Sequence, residues 1–327
     1  MKEGQLFRRL RKDRGLSLRQ VADELNSVSF ISKFEKGNSH ITMHRMERLL
    51  DNINVTIEEF YYLRASKSEM DIFIGFSNMF SYMTGPYFSF LERIQVINNH
   101  YNQHQQDFEK GIIEMKKLSA ELNKEIRWQK YLQIFCQLLI EAYEANLSES
   151  EEVDSKKIVE RFRVMSRPVV SYLYSVENWG VFEVLLFRLF QFTFPVETIH
   201  QLLPTAVSRT EKELGLPLMR EMRASLIFSA LASFLNFRCF EESKEVMALL
   251  EKTLYDTEDS TNSIYLLFFK GWYQIITGSE EKGIEKCQQA ISIFRILKQP
   301  TLVKHTEYLL EVILQHKENP KEYMVFV

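Results

Sequence analysis

Glycine and proline are scarce in this chain, with 11 and 7 copies among 327 residues. That shortage argues against strands joined by tight turns and favours long packed helices. Cysteine is rarer still. Cys136, Cys239 and Cys287 are odd in number, far apart and set among apolar residues, so neither a disulfide framework nor a metal motif follows. They read as buried thiols of a reducing, cytoplasmic compartment, with a redox switch as the lesser alternative. No uncharged apolar run reaches the length of a membrane span, and the stretch from Tyr265 to Ile276 is interrupted by Lys270. The N-terminus carries charges with no apolar run behind them, so no signal peptide is expected. No nucleophile motif, phosphate loop or metal spacing stands out, so the sequence implies no enzyme and no cofactor. His40 and His44 are four apart but lack a third ligand, and they read as surface or DNA-backbone-contacting residues.

What the chain does have is apolar bulk and an uneven charge. Hydrophobic residues make up 45% of it and Phe occurs 25 times, enough for a sizeable core. The net charge is -3, but residues 1–65 carry twelve Lys/Arg against nine Asp/Glu, and the remainder 29 against 35. A cationic head on an anionic body directs phosphate contacts to the head. An excess of three charges is small, so one head should bind DNA weakly and pairing of two heads is the expected remedy.

Two domains are expected: a helix-turn-helix DNA-binding domain over 1–65 and a helical-repeat domain over 66–327. In the head, helix 1 should span about residues 4–14, with Leu6, Phe7 and Leu10 inward and Gly15 as its C-terminal stop. Arg8, Arg11, Lys12 and Arg14 then lie on exposed faces, within reach of phosphates. Ser17 caps helix 2 with Gln20 completing a capping box, and Val21, Ala22 and Leu25 turn inward. Asn26 breaks that helix and Ser27 caps helix 3, where Ile31 and Phe34 point to the core. Val28, Ser29, Phe30, Ser32 and Lys33 remain on the outer face, with Lys36 at the end. Ser29 offers a hydrogen bond, Lys33 a contact to guanine or phosphate, and Val28 or Phe30 an apolar contact to a thymine methyl. Phe30 packing between helices instead is an equal alternative. A fourth helix starts near Thr42, and Thr56 caps a fifth, with Glu59 completing a second capping box. Order, spacing, caps and charge agree on a helix-turn-helix rather than on a bundle with an incidental basic face.

The body reads as helices nearly throughout, the first at 69–84 and the last at 301–317, with breaks expected near 166 and 178. Short turns between long helices suggest antiparallel pairs stacked into an all-α solenoid. Trp272, Tyr273, Gly278, Gly283, Ala290 and Phe294 have the layout of a tetratricopeptide-type unit, although the 34-residue period is not clean elsewhere. A concave helical surface suits an extended peptide. Within apolar helices Arg188, Arg220, Arg223, Asn236 and Lys270 are the candidate peptide-binding residues, the cations for a carboxylate and Asn236 for peptide backbone. The alternative for each is an internal salt bridge or a helix cap.

The chain closely resembles the Rgg-like (Rgg/GadR/MutR) transcriptional regulators, within the peptide-pheromone receptors of Gram-positive bacteria. The likeness rests on Ile31-Ser32-Lys33-Phe34-Glu35-Lys36-Gly37, Ser39, Ile41, Leu49-Leu50 and Asn54-Val55-Thr56-Ile57-Glu58-Glu59-Phe60 in the head. In the body it rests on Tyr172-Leu173-Tyr174-Ser175-Val176-Glu177-Asn178-Trp179-Gly180 with Glu183-Val184, and on Phe268-Phe269-Lys270-Gly271, Gly278, Gly283 and Ala290-Ile291. The resemblance implies a homodimer whose repeat domain binds short re-imported peptides and so changes transcription. It matches Ser29 and Lys33 to the recognition helix and Arg11 and Lys12 to the basic first helix. Many such proteins are polar where this chain has Val28 and Phe30, which implies a different operator or apolar contacts. Trp179 and Gly180 read as packing residues. The apolar end Tyr323-Met324-Val325-Phe326-Val327 is expected to tuck into the body or a dimer partner.

The mechanism that follows has two bodies paired through C-terminal helices, two heads on an inverted repeat of double-stranded DNA, and a short hydrophobic peptide in each body. One rival keeps DNA binding but makes the body a scaffold, meeting RNA polymerase or another regulator, with no peptide. A second rival is an interaction protein whose head has lost DNA binding.

Overall fold

The computed structural model describes residues 2–64, 86–104, 107–147, 155–212 and 217–318, and every described element is helical. The chain divides into two compact units, Met1–Arg93 and Ile94–Val327. The expected boundary after residue 65, the expected helix over 69–84 and the apolar C-terminal end lie outside the described residues.

Among residues 2–64 of the N-terminal unit run five short helices: α1 (Glu3–Asp13), α2 (Leu18–Val21), α3 (Val28–Glu35), α4 (Met43–Asp51) and α5 (Ile57–Arg64). Their apolar positions recur at helical spacing and close one core of Leu6, Phe7, Leu10, Val21, Ile31, Phe34, Met46, Leu49, Leu50, Ile53, Val55 and Phe60. Gly15 takes φ +68, its N–H donates to the Lys12 carbonyl at 2.9 Å and the next N–H reaches the Arg11 carbonyl, so α1 stops where expected. A Cβ at Gly4 would lie 1.9 Å from the Phe34 carbonyl oxygen, so only glycine lets α1 press onto the backbone of α3.

Helix α2 departs from expectation. Its capping box is present: the Ser17 N–H donates to Gln20 Oε1 at 2.8 Å and the Gln20 N–H to Ser17 Oγ at 3.3 Å. Yet the helix ends at Val21 because Ala22 is extended (ψ 144°) and Asp23 turns the chain. Asp23 Oδ1 accepts from the N–H groups of Leu25 (2.9 Å) and Asn26 (2.7 Å), a local bond that competes with helix. Leu25, expected inward, is therefore 39% exposed, and Asn26 takes the buried place. Its Nδ2 donates to the Arg45 carbonyl at 3.3 Å.

The second unit comprises α6 (Pro86–Asn98, which spans the division between the units), a π-helical turn (Asn99–His104), α7 (Phe108–Ala120), α8 (Arg127–Leu147), α9 (Ser155–Ser175), α10 (Val181–Phe190), a 3-10 turn (Gln191–Thr193), α11 (Val196–Lys212), α12 (Pro217–Asn236), α13 (Phe240–Thr257), α14 (Ser260–Ile276), α15 (Glu280–Ile296) and α16 (Pro300–Glu318). Helices α10, α12, α14 and α16 touch in succession, while α11, α13 and α15 each pack between consecutive members of that row, which is the two-layer arrangement of a solenoid. The break expected near 166 does not occur. Helix α9 runs through Pro168, which removes the N–H that the Val164 carbonyl would accept from. Val164 is 47% exposed, so water can serve that carbonyl.

The Trp179 block is a corner between α9 and α10. Trp179 is buried and its indole N–H donates to the Leu173 carbonyl at 3.1 Å. The Tyr172 hydroxyl donates to one oxygen of Glu183 at 2.6 Å, and the other accepts the Gly180 N–H at 2.7 Å. The tightest pair is α14 with α15, the unit expected from Trp272 to Phe294. A Cβ at Gly283 would lie 2.6 Å from the Gly271 carbonyl oxygen, and one at Gly271 would lie 2.7 Å from that of Gly283. Two glycines facing each other let the helix backbones touch, and the Cys287 thiol donates to the Phe268 carbonyl at 3.4 Å beside them.

Candidate nucleic-acid interface

Helix α3 begins at a built cap. Ser27 Oγ accepts the Phe30 N–H at 3.3 Å, which leaves the first turn free of competing local structure. At 100° per residue Ile31, Phe34 and Glu35 share the inner arc and are buried, while Ser29, Lys33 and Lys36 share the opposite arc and are exposed. Val28 is 41% exposed at the N-terminal end, and Ser29 Oγ lies 3.1 Å from Ser27 Oγ. The face therefore offers hydroxyl and ammonium groups at spacings suited to base edges and phosphates. Phe30 sits on its flank, half-buried against the head core. The Arg45 guanidinium covers its ring, 4.6 Å from the centroid. Sequence reasoning passed over Arg45 because its partner is 15 residues away on another helix.

The first helix corrects one expectation. Arg11 is not on an exposed face but only 6% exposed. Its Nε and Nη2 donate to the two Glu35 oxygens at 2.6 and 2.8 Å, and its Nη1 to the Leu16 carbonyl. A buried, bidentate pair of this kind has the geometry that compensates desolvation of both ions. Arg11 thus clamps α1 to the end of α3 and is turned away from phosphate. Arg8 is half-exposed with its Nε 3.9 Å from Glu35, and Arg14 donates to the Leu10 carbonyl and lies 3.6 Å from Glu59. Thr56 Oγ1 accepts the Glu59 N–H at 3.1 Å, so the fifth helix is capped as expected while the Glu59 carboxylate faces Arg14. Lys12 is exposed.

The turn that shortens α2 is held electrostatically. Partial burial pushes the Asp23 carboxyl up. Hydrogen bonds from the Asn26 N–H, Asn52 Nδ2 and the Leu25 N–H, with the Arg48 charge, outweigh that and hold it below its ordinary value. Asn52 Nδ2 also reaches the Val21 carbonyl at 3.1 Å, tying α2 to α4.

In the body the candidate peptide residues do not form one cluster. Arg188 is half-buried on α10, and its Nε donates to Ser225 Oγ of α12 at 3.1 Å. Desolvation lowers its guanidinium to about 10, so it stays cationic at neutral pH. Arg223 is buried on α12, and Asn236 ends the same helix roughly 20 Å farther along at 1.5 Å per residue. Lys270 on α14 is ion-paired with Glu251 of α13. The side chain of Arg220 lies outside the described residues. Burial pushes the thiols of Cys136 and Cys287 up to about 12, which makes them poor nucleophiles. No group of His, Cys, Asp and Glu among the described residues could hold a metal, and no described helix is long and apolar enough to cross a membrane.

Comparison with known proteins then decides the family. A model described as the C-terminal domain of the HTH-type transcriptional regulator Rgg matches residues 116–308, and a helix-turn-helix model matches residues 7–60. The chain belongs to the Rgg family. It is a helix-turn-helix transcriptional regulator, with α2 and α3 as the paired helices of the motif. The fold is shared over nearly the whole length with the Rgg2 SHP pheromone receptor of Streptococcus dysgalactiae, at 24% identity and a TM-score of 0.62 over 94% of this chain and 97% of that one. A structure described as a transcriptional regulator from Listeria monocytogenes EGD-e superposes with a TM-score of 0.69 at 17% identity, covering 97% of this chain and 98% of its own. The PrgX/cCF10 complex gives a TM-score of 0.60 at 12% identity, over 99% and 94% of the two chains. In this Rgg regulator the residues around Trp179 are corner and packing residues.

Proposed function

We propose that this Rgg regulator acts in the cytoplasm as a homodimer that reads an inverted repeat of double-stranded DNA, under the control of a short hydrophobic peptide held by its helical-repeat body. The observation that carries the reading is the union, in one chain, of a capped recognition helix with an Rgg repeat domain, the architecture that Rgg2 uses as a pheromone receptor. The small positive excess of the head supports pairing of two heads.

Pairing through α16 fits that reading. Its outer face carries a shallow depression of about 480 Å³ lined by Lys304, Glu307, Tyr308, Leu310, Glu311 and Leu314, and Tyr308 is 63% exposed. Two copies of α16 set antiparallel about an axis beside Tyr308 would place Lys304 opposite Glu311 twice, a self-complementary pattern suited to twofold symmetry. The peptide acts as a switch only if it binds the dimer's head arrangements with different affinity.

Calorimetric titration of the full-length protein with short hydrophobic peptides encoded beside its gene tests the receptor reading. Saturable, stoichiometric heat supports it. Absence of heat across the set favours the second reading, a dimeric DNA-binding regulator whose body is a protein–protein scaffold. One observation favours that second reading: Lys270 already has Glu251 and Arg188 already has Ser225.

A further inference from the structure

We infer that Arg45 is a DNA-phosphate contact of this regulator, and that Phe30, on the flank of the recognition helix, is the platform that positions it rather than a reader of bases. The inference rests on the head binding DNA, and it assigns Phe30 a role that its place on the outer side of α3 does not by itself reveal.

Three observations lead there. The Arg45 guanidinium lies over the Phe30 ring at 4.6 Å from the centroid, within the range where the ring quadrupole attracts a cation. The backbone of Arg45 is fixed as well, because buried Asn26, in the turn before α3, donates its Nδ2 hydrogen to the Arg45 carbonyl. Arg45 is thus held through its side chain by the recognition helix and through its carbonyl by the turn before that helix, while the residue remains part-exposed. On the helical wheel Phe30 is about 60° from Lys33, so the held guanidinium borders the face formed by Ser29, Lys33 and Lys36, where a flanking phosphate would run.

The sequence of α4 points the same way. Its first turn has no acidic residue but contains His44 and Arg45, although the positive end of a helix dipole favours anions. Its N-cap Thr42 makes no side-chain cap bond. A cation in that position costs free energy until an anion joins it, and in the complex a phosphate would interact favourably with both the guanidinium and the helix end. Arg45 covers one face of the Phe30 ring, which leaves less of it for a thymine methyl.

The test uses full-length protein and a duplex that the wild type selects from a random 20-base-pair library. Arg45→Ala should lower the slope of log Kobs against log salt by about 0.9 per head, or about 1.8 for the dimer on its inverted repeat, and weaken binding to all duplexes alike. Phe30→Leu keeps apolar bulk but lacks a π face. It should weaken binding about two- to fivefold, and cause no further loss when Arg45 is already Ala. Phe30→Tyr should bind like the wild type. Thermal melts of each variant show that the head stays folded. If Phe30→Leu weakens binding equally in the Arg45→Ala background and changes the selected base at one position, Phe30 reads a base and the inference fails. An unchanged salt slope in Arg45→Ala overturns the phosphate contact. If the wild type selects no duplex at all, the DNA-binding reading falls first and this inference with it.

Discussion

Arg11→Ala separates a structural from a DNA-binding role for the most basic stretch of the chain. In the structure Arg11 and Glu35 are 6% and 5% exposed and share two hydrogen bonds of 2.6 and 2.8 Å. Removing the guanidinium leaves a buried carboxylate whose nearest remaining cation is Arg8 at 3.9 Å, itself half in solvent. Breaking a buried pair on one side costs about 3–5 kcal/mol, because the partner's desolvation is no longer compensated. For a domain of this size each kcal/mol shifts the melting temperature by about 4–8 °C, so the head transition should fall by at least about 12 °C. Calorimetry on the full-length protein reads that transition. Replacing both partners, Arg11→Met with Glu35→Met, should recover most of the loss, since two apolar side chains of similar length leave no charge stranded. The reasoning is refuted if Arg11→Ala melts like the wild type yet shows a smaller salt slope in DNA binding, the behaviour of an exposed phosphate contact.

Four further outcomes follow from the same geometry. Lys33→Ala should weaken binding to the selected duplex while sedimentation shows the oligomeric state unchanged; equal affinity would remove Lys33 from the reading face. Gly283→Ala should destabilise the body by about 1–3 kcal/mol in urea titration, because its Cβ would meet the Gly271 carbonyl oxygen and the Ile275 backbone nitrogen, which cannot swing aside, as well as Ile275 Cγ1. Asp23 has a depressed folded-state value, so its contribution is present above the ordinary 3.8 and lost as pH falls through the lower folded value. Asp23→Asn should therefore be less stable than the wild type at pH 7, with the gap closing in acid. Cys136 and Cys287, with thiols raised to about 12, should resist iodoacetamide at pH 8 until denaturant is added, whereas rapid native labelling would contradict their burial.

The sequence by itself determined whatever depends on neighbours within a turn or two. Ser17, Ser27 and Thr56 cap where their spacing to Gln20, Phe30 and Glu59 places them, Gly15 stops α1, and the Trp272-to-Phe294 pattern marks the α14–α15 pair. These signals are legible because a hydrogen bond to an atom three residues away, or a positive φ, constrains residue type at that position whatever the rest of the fold does. Only the tertiary structure decided the features that join distant segments. Arg11 looks like one of four exposed cations until Glu35, 24 residues on, is packed against it. Helix α2 looks longer until Asp23 turns the chain, its carboxylate held there by Arg48 of α4 and by Asn52 just beyond it. Phe30 looks equally suited to base or core until Arg45 covers it. Each of those outcomes turns on which charge or ring lies opposite once helices pack, and helical periodicity assigns a residue to a face without naming what that face will meet.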